Sequence, residues 1–376
     1  MQKLADGLLF DCPDHPRLIA VVEDSRVTDL WAEQDSSERL GAVHLARVTG
    51  RFDHHQRLSG QLLSGTSVSW PVKGKARITQ GQLVPVTLTA TARQDKPVQA
   101  IVGIELAGRF TLLRWRGGET GQVYLSRKAG KQKSDELQMS KLNELCQHTG
   151  ALAAGFDVVV RRSALLPDNQ LDEAIFTLIQ AEVTKLLAGW AGQADNPEEL
   201  YTQTQPRLIY TGPPLDVLLG QLYPELPVRQ LGPGDVSVVQ DAYDQAVKTR
   251  YETSHGAVFW FEQTRAAVMI DIDSAASKLA PDRLCELVLP ELFTQICLRR
   301  LAGKILVDMP YIAHHKRRSV LAEIDRLSRR DPRYPDCLGF TRSGLVELSV
   351  RHGRPVLDKD DTLQAVIDQL AKRVQR

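Results

Sequence analysis

The first part of the chain alternates apolar and polar residues in the manner of β-strands. Leu18 to Asp29 contains two such runs around a polar E-D-S-R turn, which predicts a hairpin. Between Gly41 and Glu105, four further runs follow one another at short intervals: A-V-H-L-A-R-V, G-Q-L-L-S-G-T-S-V-S-W, L-V-P-V-T-L-T-A-T-A and V-Q-A-I-V-G-I-E-L. Short strands at close spacing predict a small antiparallel barrel or sandwich.

The remaining sequence mixes strand and helix patterns. Strands are predicted at 110–115, 122–125, 155–162 and 207–210, and helices at 169–191, 213–224 and 241–251. The strand patterns A-V-F-W-F-E-Q-T and A-A-V-M-I-D-I-D precede a helix at 281–302, in which Pro290 predicts a kink. A buried strand, K-I-L-V-D-M, a basic helix through Arg330, a strand, G-L-V-E-L-S-V, and a helix near 363–374 complete the chain. This order predicts an α+β chain with an inserted β-barrel.

Composition narrows the class of protein without identifying it. A chain of 376 residues exceeds one ordinary core, so two to four domains or subdomains are expected. The net charge of +1 means that any basic surface for nucleic acid must be local. No apolar run reaches the roughly 18 residues of a membrane helix. The five cysteines form no C-x-x-C pair, which favours buried, reduced thiols in a cytoplasmic protein.

Acidic residues end two apolar strand patterns in the C-terminal half. Asp271 and Asp273 lie two residues apart, so they share one face of their strand, and Asp308 ends the next apolar run. If the two strands are neighbours, Asp271 and Asp308 meet at one rim of a sheet. Carboxylates at such a rim suit Mg²⁺, which takes few protein ligands and keeps waters. The alternative is that these carboxylates only cap turns or face solvent.

Other motifs are absent or open to two interpretations. The sequence contains no P-loop, no G-x-G-x-x-G after a strand and no G-x-S-x-G nucleophile elbow, so no motif favours a small-molecule enzyme. The basic run Lys316, Arg317, Arg318 is either a solvated helix face or a phosphate contact. Trp115, Trp190 and Trp260 lie in apolar patterns typical of core residues, and Trp70 fits either role.

Three blocks in the C-terminal half resemble the ribonuclease E/G family. H-G-A-V-F-W-F-E-Q-T-R-A-A-V-M-I-D-I-D-S-A is similar to the family signature, in which a strand ending in E-Q-T-E-A-L precedes I-D-I-N-S or I-D-V-N-S. L-R-R-L-A-G-K-I-L-V-D-M resembles Q-L-R-L-R-D-L-G-G-L-I-V-I-D-F, and F-T-R-S-G-L-V-E-L-S-V-R resembles I-S-R-F-G-L-L-E-M-S-R-Q. The order and spacing of the blocks also match the family.

The resemblance covers most of the chain, strongly only from Asp241 to Arg354, and it implies a fold. It implies RNase H-like and nuclease-like α/β subdomains with an inserted OB-type antiparallel β-barrel that binds RNA. The implied boundaries are 1–36 for the first part of the RNase H-like subdomain, 37–106 for the barrel and 107–166 for a region resembling a sensor of RNA 5′ ends. The remainder of the RNase H-like subdomain is expected at 167–240, and the metal-binding catalytic subdomain at 241–376.

Residue roles follow from the resemblance, position by position. Asp271 and Asp308 match the two carboxylates that hold the catalytic Mg²⁺ in the family, and Asp273 stands at the Asn that orients the attack. Arg161 matches the arginine that senses the 5′-monophosphate, and Lys96 matches a barrel lysine that contacts RNA. Arg162 stands where the sensor threonine is expected, or Ser163 does if the alignment shifts by one residue. The implied activity is Mg²⁺-dependent endonucleolytic hydrolysis of single-stranded RNA, in RNA processing.

Departures from the family pattern leave a second function open. Asp273 replaces Asn, Arg265 replaces the second Glu of E-Q-T-E, Tyr311 replaces an acidic residue, and the barrel lacks a clear F-V-D-Y-G aromatic patch. These changes are compatible with an RNA-binding adaptor or chaperone that has lost cleavage. The zinc-link motif C-P-x-C is absent, so a shortened, divergent branch is expected, with a homodimer open and no zinc-linked tetramer.

Overall fold

The computed structural model describes residues 4–12, 16–33, 38–52, 56–72, 78–92, 96–117, 119–126, 136–165, 171–192, 200, 203–212 and 214–374, without the side chains at 52, 162, 221 and 374. The strands are β1 (Gly7–Phe10), β2 (Leu18–Glu23), β3 (Arg26–Ala32), β4 (Val43–Phe52), β5 (Arg57–Gln61), β6 (Ser67–Pro71), β7 (Leu83–Ala90), β8 (Val98–Val102), β9 (Glu105–Ala107), β10 (Thr111–Trp115), β11 (Val123–Leu125), β12 (Phe156–Val160), β13 (Arg207–Tyr210), β14 (Val228–Gln230), β15 (Arg250–Glu252), β16 (Val258–Gln263), β17 (Val268–Asp273), β18 (Gly303–Asp308), β19 (Asp336–Phe340) and β20 (Val346–Val350). The helices are α1 (Glu136–His148), α2 (Glu173–Ala191), α3 (Leu215–Leu222), α4 (Pro233–Ala246), α5 (Pro281–Leu298), α6 (Arg317–Ser328) and α7 (Asp361–Val374).

The chain forms two compact units. The first unit combines Met1–Glu33 with Pro224–Arg376, and the second consists of Gln34–Tyr223. The expected mixture of helices and strands with an inserted barrel is confirmed. The five-segment division implied by the resemblance is finer than these two units and stays a prediction.

A closed five-stranded barrel forms one part of the second unit. Its strands follow the order β4-β5-β6-β8-β7, and β7 pairs back onto β4. All neighbours are antiparallel except β6 and β8. The single run predicted over 60–70 is in fact two strands, because a turn closed by the Leu62 N–H to the Thr66 carbonyl (3.0 Å) separates β5 from β6. Trp70, open to either role in the sequence, is fully buried in the barrel core.

The other part of the second unit is a sheet of order β11-β12-β10-β9 with the helices α1 and α2. Glu182 of α2 is buried, and its carboxylate accepts hydrogen bonds from the backbone N–H groups of Arg109, Phe110 and Thr111. Burial raises the pKa of this carboxyl, and the hydrogen bonds oppose that effect. A buried helix carboxylate therefore fixes the start of β10.

The described residues of the first unit form two sheets. One has the order β14-β1-β2-β3 and packs against α4 and α7. The other has the order β15-β16-β17-β18-β20-β19, and its apolar face packs against α5 and α6. Ile270 and Ile305, on β17 and β18, are fully buried in this second core.

One predicted helix is wrong in position. The helix expected at 241–251 is α4, which begins eight residues earlier, at Pro233. Proline is favoured in the first turn of a helix, and the Gly232 N–H donates to Asp235 Oδ2 (2.9 Å), which caps that turn. Residues 250–252 are instead the edge strand β15, paired with β16.

None of the described helices is both long and apolar enough to cross a membrane.

The alternating burial along β17 can be tested by truncating one residue on each face. Ile270→Ala removes a fully buried side chain from the core and should lower the free energy of unfolding by about 2–5 kcal/mol. Met269→Ala, the matched control on the opposite face, should cost about 1 kcal/mol or less. Urea denaturation measures both. A larger loss for Met269→Ala would contradict the assignment of the faces.

Candidate functional site

The site is built on two neighbouring parallel strands. β17 and β18 pair in parallel, and in their register Asp271 lies directly opposite Asp308. Parallel strands require a crossover connection, which α5 provides here. Adjacent strands are about 4.8 Å apart, so the two carboxyl groups leave the sheet side by side.

Both carboxylates lie on the solvent face of the sheet. Burial alternates along β17, with Ile270 and Ile272 buried and Asp271 and Asp273 exposed. Asp308 is exposed at the end of β18. The core therefore fixes the backbone from one face, while the acidic side chains remain open to ligands on the other.

The acidic groups repel one another. Partial loss of hydration, followed by the charges of Asp308, Asp273 and Glu262, raises the pKa of Asp271. Asp273 also has a local role, because its Oδ1 accepts the Ala275 N–H (2.9 Å) in the turn after β17. A bound cation would relieve this repulsion, which is the electrostatic condition expected of a metal site.

The donor set fits Mg²⁺ rather than a closed transition-metal site. Among the described residues, no three His, Cys, Asp or Glu side chains form a group that could hold a metal. Two carboxylates opposed on adjacent strands supply the few hard oxygen ligands that Mg²⁺ takes from a protein, and their open face leaves room for water. The residues that would hold the ion are Asp271 and Asp308.

The loop after β18 is tied to the start of α5. Asp282 Oδ1 accepts the Ala313 N–H (3.3 Å), and Asp282 Oδ2 pairs with Lys316 Nζ (2.9 Å). The hydrogen bond from Lys316 lowers the pKa of Asp282. Lys316, predicted as an RNA contact, is thus engaged in an ion pair within the first unit.

The other two residues of the basic run differ in exposure. The guanidinium of Arg317 lies 4.8 Å from the centroid of the Phe340 ring, and its buried Nε has no hydrogen-bond partner among the described residues. Arg318 is exposed on α6. Of the three cations, Arg318 is therefore the most accessible to a phosphate.

The remaining predicted RNA contacts belong to the second unit. Lys96 is exposed just before β8. Arg161 lies just after β12, and its guanidinium donates to the Gly108 carbonyl. The backbone of Arg162 begins a 3₁₀ turn, and its side chain lies outside the described residues.

The sequence predicts that Trp260 lies in the core, and this prediction is wrong. Its side chain is 40 % exposed, whereas Trp190 is buried and Trp115 half-buried. In the register of β16 and β17, Trp260 lies opposite Asp271. The run V-F-W-F-E offered a signal, since Phe259 and Phe261 can fill the core face while Trp260 points away from it.

Comparison with known proteins adds one match. Residues 234–352 match the model described as "Ribonuclease E/G family", a segment that contains Asp271, Asp308 and the basic run but neither Lys96 nor Arg161. No curated protein matches the chain.

The coupling between the two aspartates can be measured directly. In Asp308→Asn the pKa of Asp271 should fall, because loss of a neighbouring negative charge favours the ionised form. NMR titration of the carboxyl carbons would follow the change. Glu347→Gln is the matched control, since Glu347 lies on the same sheet but is not among the charges that raise the pKa of Asp271. An Asp271 titration unaffected by Asp308→Asn would show that the carboxylates do not interact.

Proposed function

We propose that this chain, whose residues 234–352 match the ribonuclease E/G family model, is an endoribonuclease that hydrolyses single-stranded RNA at Asp271 and Asp308 with Mg²⁺. The family match supports a ribonuclease or RNA-processing role. The observation that carries the finer proposal is the register of β17 and β18, which opposes the two carboxylates on an open sheet face.

The proposed chemistry assigns a role to each acidic residue. Asp271 and Asp308 hold the cation at the ends of their strands, and Asp273 adds a third negative charge beside them. Bound Mg²⁺ supplies Lewis-acid chemistry at a phosphate and lowers the pKa of water. Asp273 accepts a backbone hydrogen bond through Oδ1, which fixes its carboxylate near Asp271.

The substrate in this proposal is single-stranded RNA, and each unit offers a surface for it. In the first unit, the exposed face of the sheet and Arg318 are accessible to a nucleotide and its phosphate. In the second unit, the barrel has the Greek-key strand order of an OB fold, which binds oligonucleotides. Trp70 is buried in the barrel, so it would not stack on a base there. Lys96 and Leu63 are exposed and accessible to RNA.

We further propose that Arg161 contacts the 5′-monophosphate of the RNA. The Gly108 carbonyl accepts from its guanidinium, and Glu182 fixes the adjoining residues 109–111 through their N–H groups. These contacts hold the Arg161 guanidinium in place before a phosphate binds, so less side-chain conformational entropy is lost on binding.

The RNase H-like and nuclease-like subdomains, and a homodimer without a zinc link, are part of the same proposal.

The second candidate is an RNA-binding protein of this family without cleavage. Asp273 favours it, since a carboxylate stands where the family has a neutral amide. Tyr311, at the position of a family acid, is 77 % exposed beyond Asp308 and gives the site no further negative charge. This candidate predicts RNA binding that weakens steeply with salt, without Mg²⁺-dependent products.

Cleavage of a 5′-monophosphorylated, single-stranded, AU-rich RNA distinguishes the two candidates. The wild-type protein should yield products with Mg²⁺ and none with EDTA. Asp308→Asn should lower the rate at least about a hundredfold while RNA binding survives, since the variant loses one of two metal ligands.

The matched control is Asp325→Asn, which removes a carboxylate from α6 that pairs with Arg329. Its rate should stay near that of the wild-type protein. Equal cleavage by Asp308→Asn and Asp325→Asn would refute the assigned site. Tight RNA binding without products from any form of the protein would favour the second candidate.

A further inference from the structure

Four residues form a row across the open face of the larger sheet in the first unit. In the strand registers, Arg250 of β15 lies opposite Trp260 of β16, Trp260 opposite Asp271 of β17, and Asp271 opposite Asp308 of β18. All four are exposed. Neighbouring strands are about 4.8 Å apart. Trp260 therefore lies one strand spacing from Asp271 and two strand spacings from Asp308.

Trp260 presents an aromatic surface in this row. The neighbouring Phe259 and Phe261 are buried in the core, so the alternation of the strand directs Trp260 to the opposite face. Single exposed apolar residues are common on protein surfaces. The position of Trp260 is nevertheless specific, because its cross-strand neighbour is one of the two proposed metal ligands.

Arg250 completes the surface on the side away from the aspartates. Its guanidinium lies 5.9 Å from the centroid of the Trp260 ring and 3.3 Å from the Glu252 carboxylate. Both an indole and a guanidinium plane can stack on a nucleotide base. The row thus has a stacking surface at one end and the carboxylates at the other. One nucleotide could place its base on the stacking surface and its phosphate near the carboxylates.

We propose that Trp260, assisted by Arg250, is a base-stacking subsite for the nucleotide adjacent to the phosphate that is cleaved. The inference rests on the proposed function, since it takes Asp271 and Asp308 as the point of cleavage. Stacking is tolerant of base identity because every base has a π-face, so the subsite positions the RNA rather than selecting a sequence. Trp260 is a positioning residue, and it sets which bond lies at the carboxylates.

The test uses a single-stranded, 5′-monophosphorylated RNA of about 12 nucleotides, of a length near the site sizes of single-strand binders. A matched series carries one abasic nucleotide at each position in turn. With the wild-type protein and Mg²⁺, loss of the base next to the cleavage site should lower kcat/KM roughly tenfold. Trp260→Thr, which suits a strand, should lower kcat/KM for the intact RNA by a similar factor and abolish the dependence on that base.

Three variants separate stacking from folding. Trp260→Phe keeps an aromatic face and should retain most of the base dependence. Trp260→Leu keeps an apolar side chain without an aromatic face. It is used in place of Trp260→Thr if the threonine variant has a lower unfolding temperature than the wild-type protein. Leu338→Thr alters another exposed apolar residue, 62 % accessible on β19, and should leave the abasic profile unchanged.

The outcomes distinguish the subsite from the proposed activity. An abasic profile that is the same for Trp260→Thr, Trp260→Leu and the wild-type protein would overturn the subsite while leaving the nuclease intact. If the wild-type protein cleaves none of the RNAs, the proposed activity fails, and fluorescence anisotropy of the same series in MgCl₂ then measures binding. A position-specific loss of affinity in the wild-type protein but not in Trp260→Thr would support the subsite, and equal losses would overturn it.

Discussion

The parallel pairing of β17 and β18 is the constraint on which the candidate site depends. Two acidic residues 37 positions apart become neighbours only because α5 returns the chain to lie beside β17 in a register that opposes Asp271 and Asp308. In each strand, the apolar residues that alternate with the polar ones fill the core. The free energy of their burial on one face of the sheet offsets the charge repulsion on the other. A slip of one residue would turn the carboxylates into the core, where their desolvation would be prohibitive.

The crossover is fixed at its end by buried charges. Arg300, just after α5, donates to the carboxylate of Asp360 and to the Leu30 carbonyl, and Arg354 donates to Leu30 and to Asp29. Burial lowers the pKa of Arg300 to about 10, so its partners are needed to hold the charge. These contacts join the N-terminal hairpin, the end of α5 and the segment before α7 within the first unit. The position of the strands that carry the candidate site is thus coupled to residues near both ends of the sequence.

The sequence predicts the candidate site best where a strand pattern and an acidic residue occur together. Asp271 and Asp308 end apolar runs, so their strands and their exposed face could be predicted, whereas their pairing depends on a crossover that no local pattern encodes. The prediction for Trp260 is wrong because V-F-W-F-E places apolar residues on both faces of a strand. The structure shows which face is buried, since Phe259 and Phe261 lie in the core with residues of α5. Lys316 illustrates the converse case, since its partner Asp282 is 34 residues distant and engages a cation that the sequence presents as free.

The central claim is that Asp271 and Asp308 together bind one divalent cation. Titration of the wild-type protein with Mn²⁺, followed by electron paramagnetic resonance with Mg²⁺ as competitor, measures this without requiring catalysis. The account predicts one Mn²⁺ that Mg²⁺ displaces, with affinity strongly reduced in both Asp271→Asn and Asp308→Asn and unchanged in Asp325→Asn. Wild-type affinity in either of the first two variants would contradict the shared site.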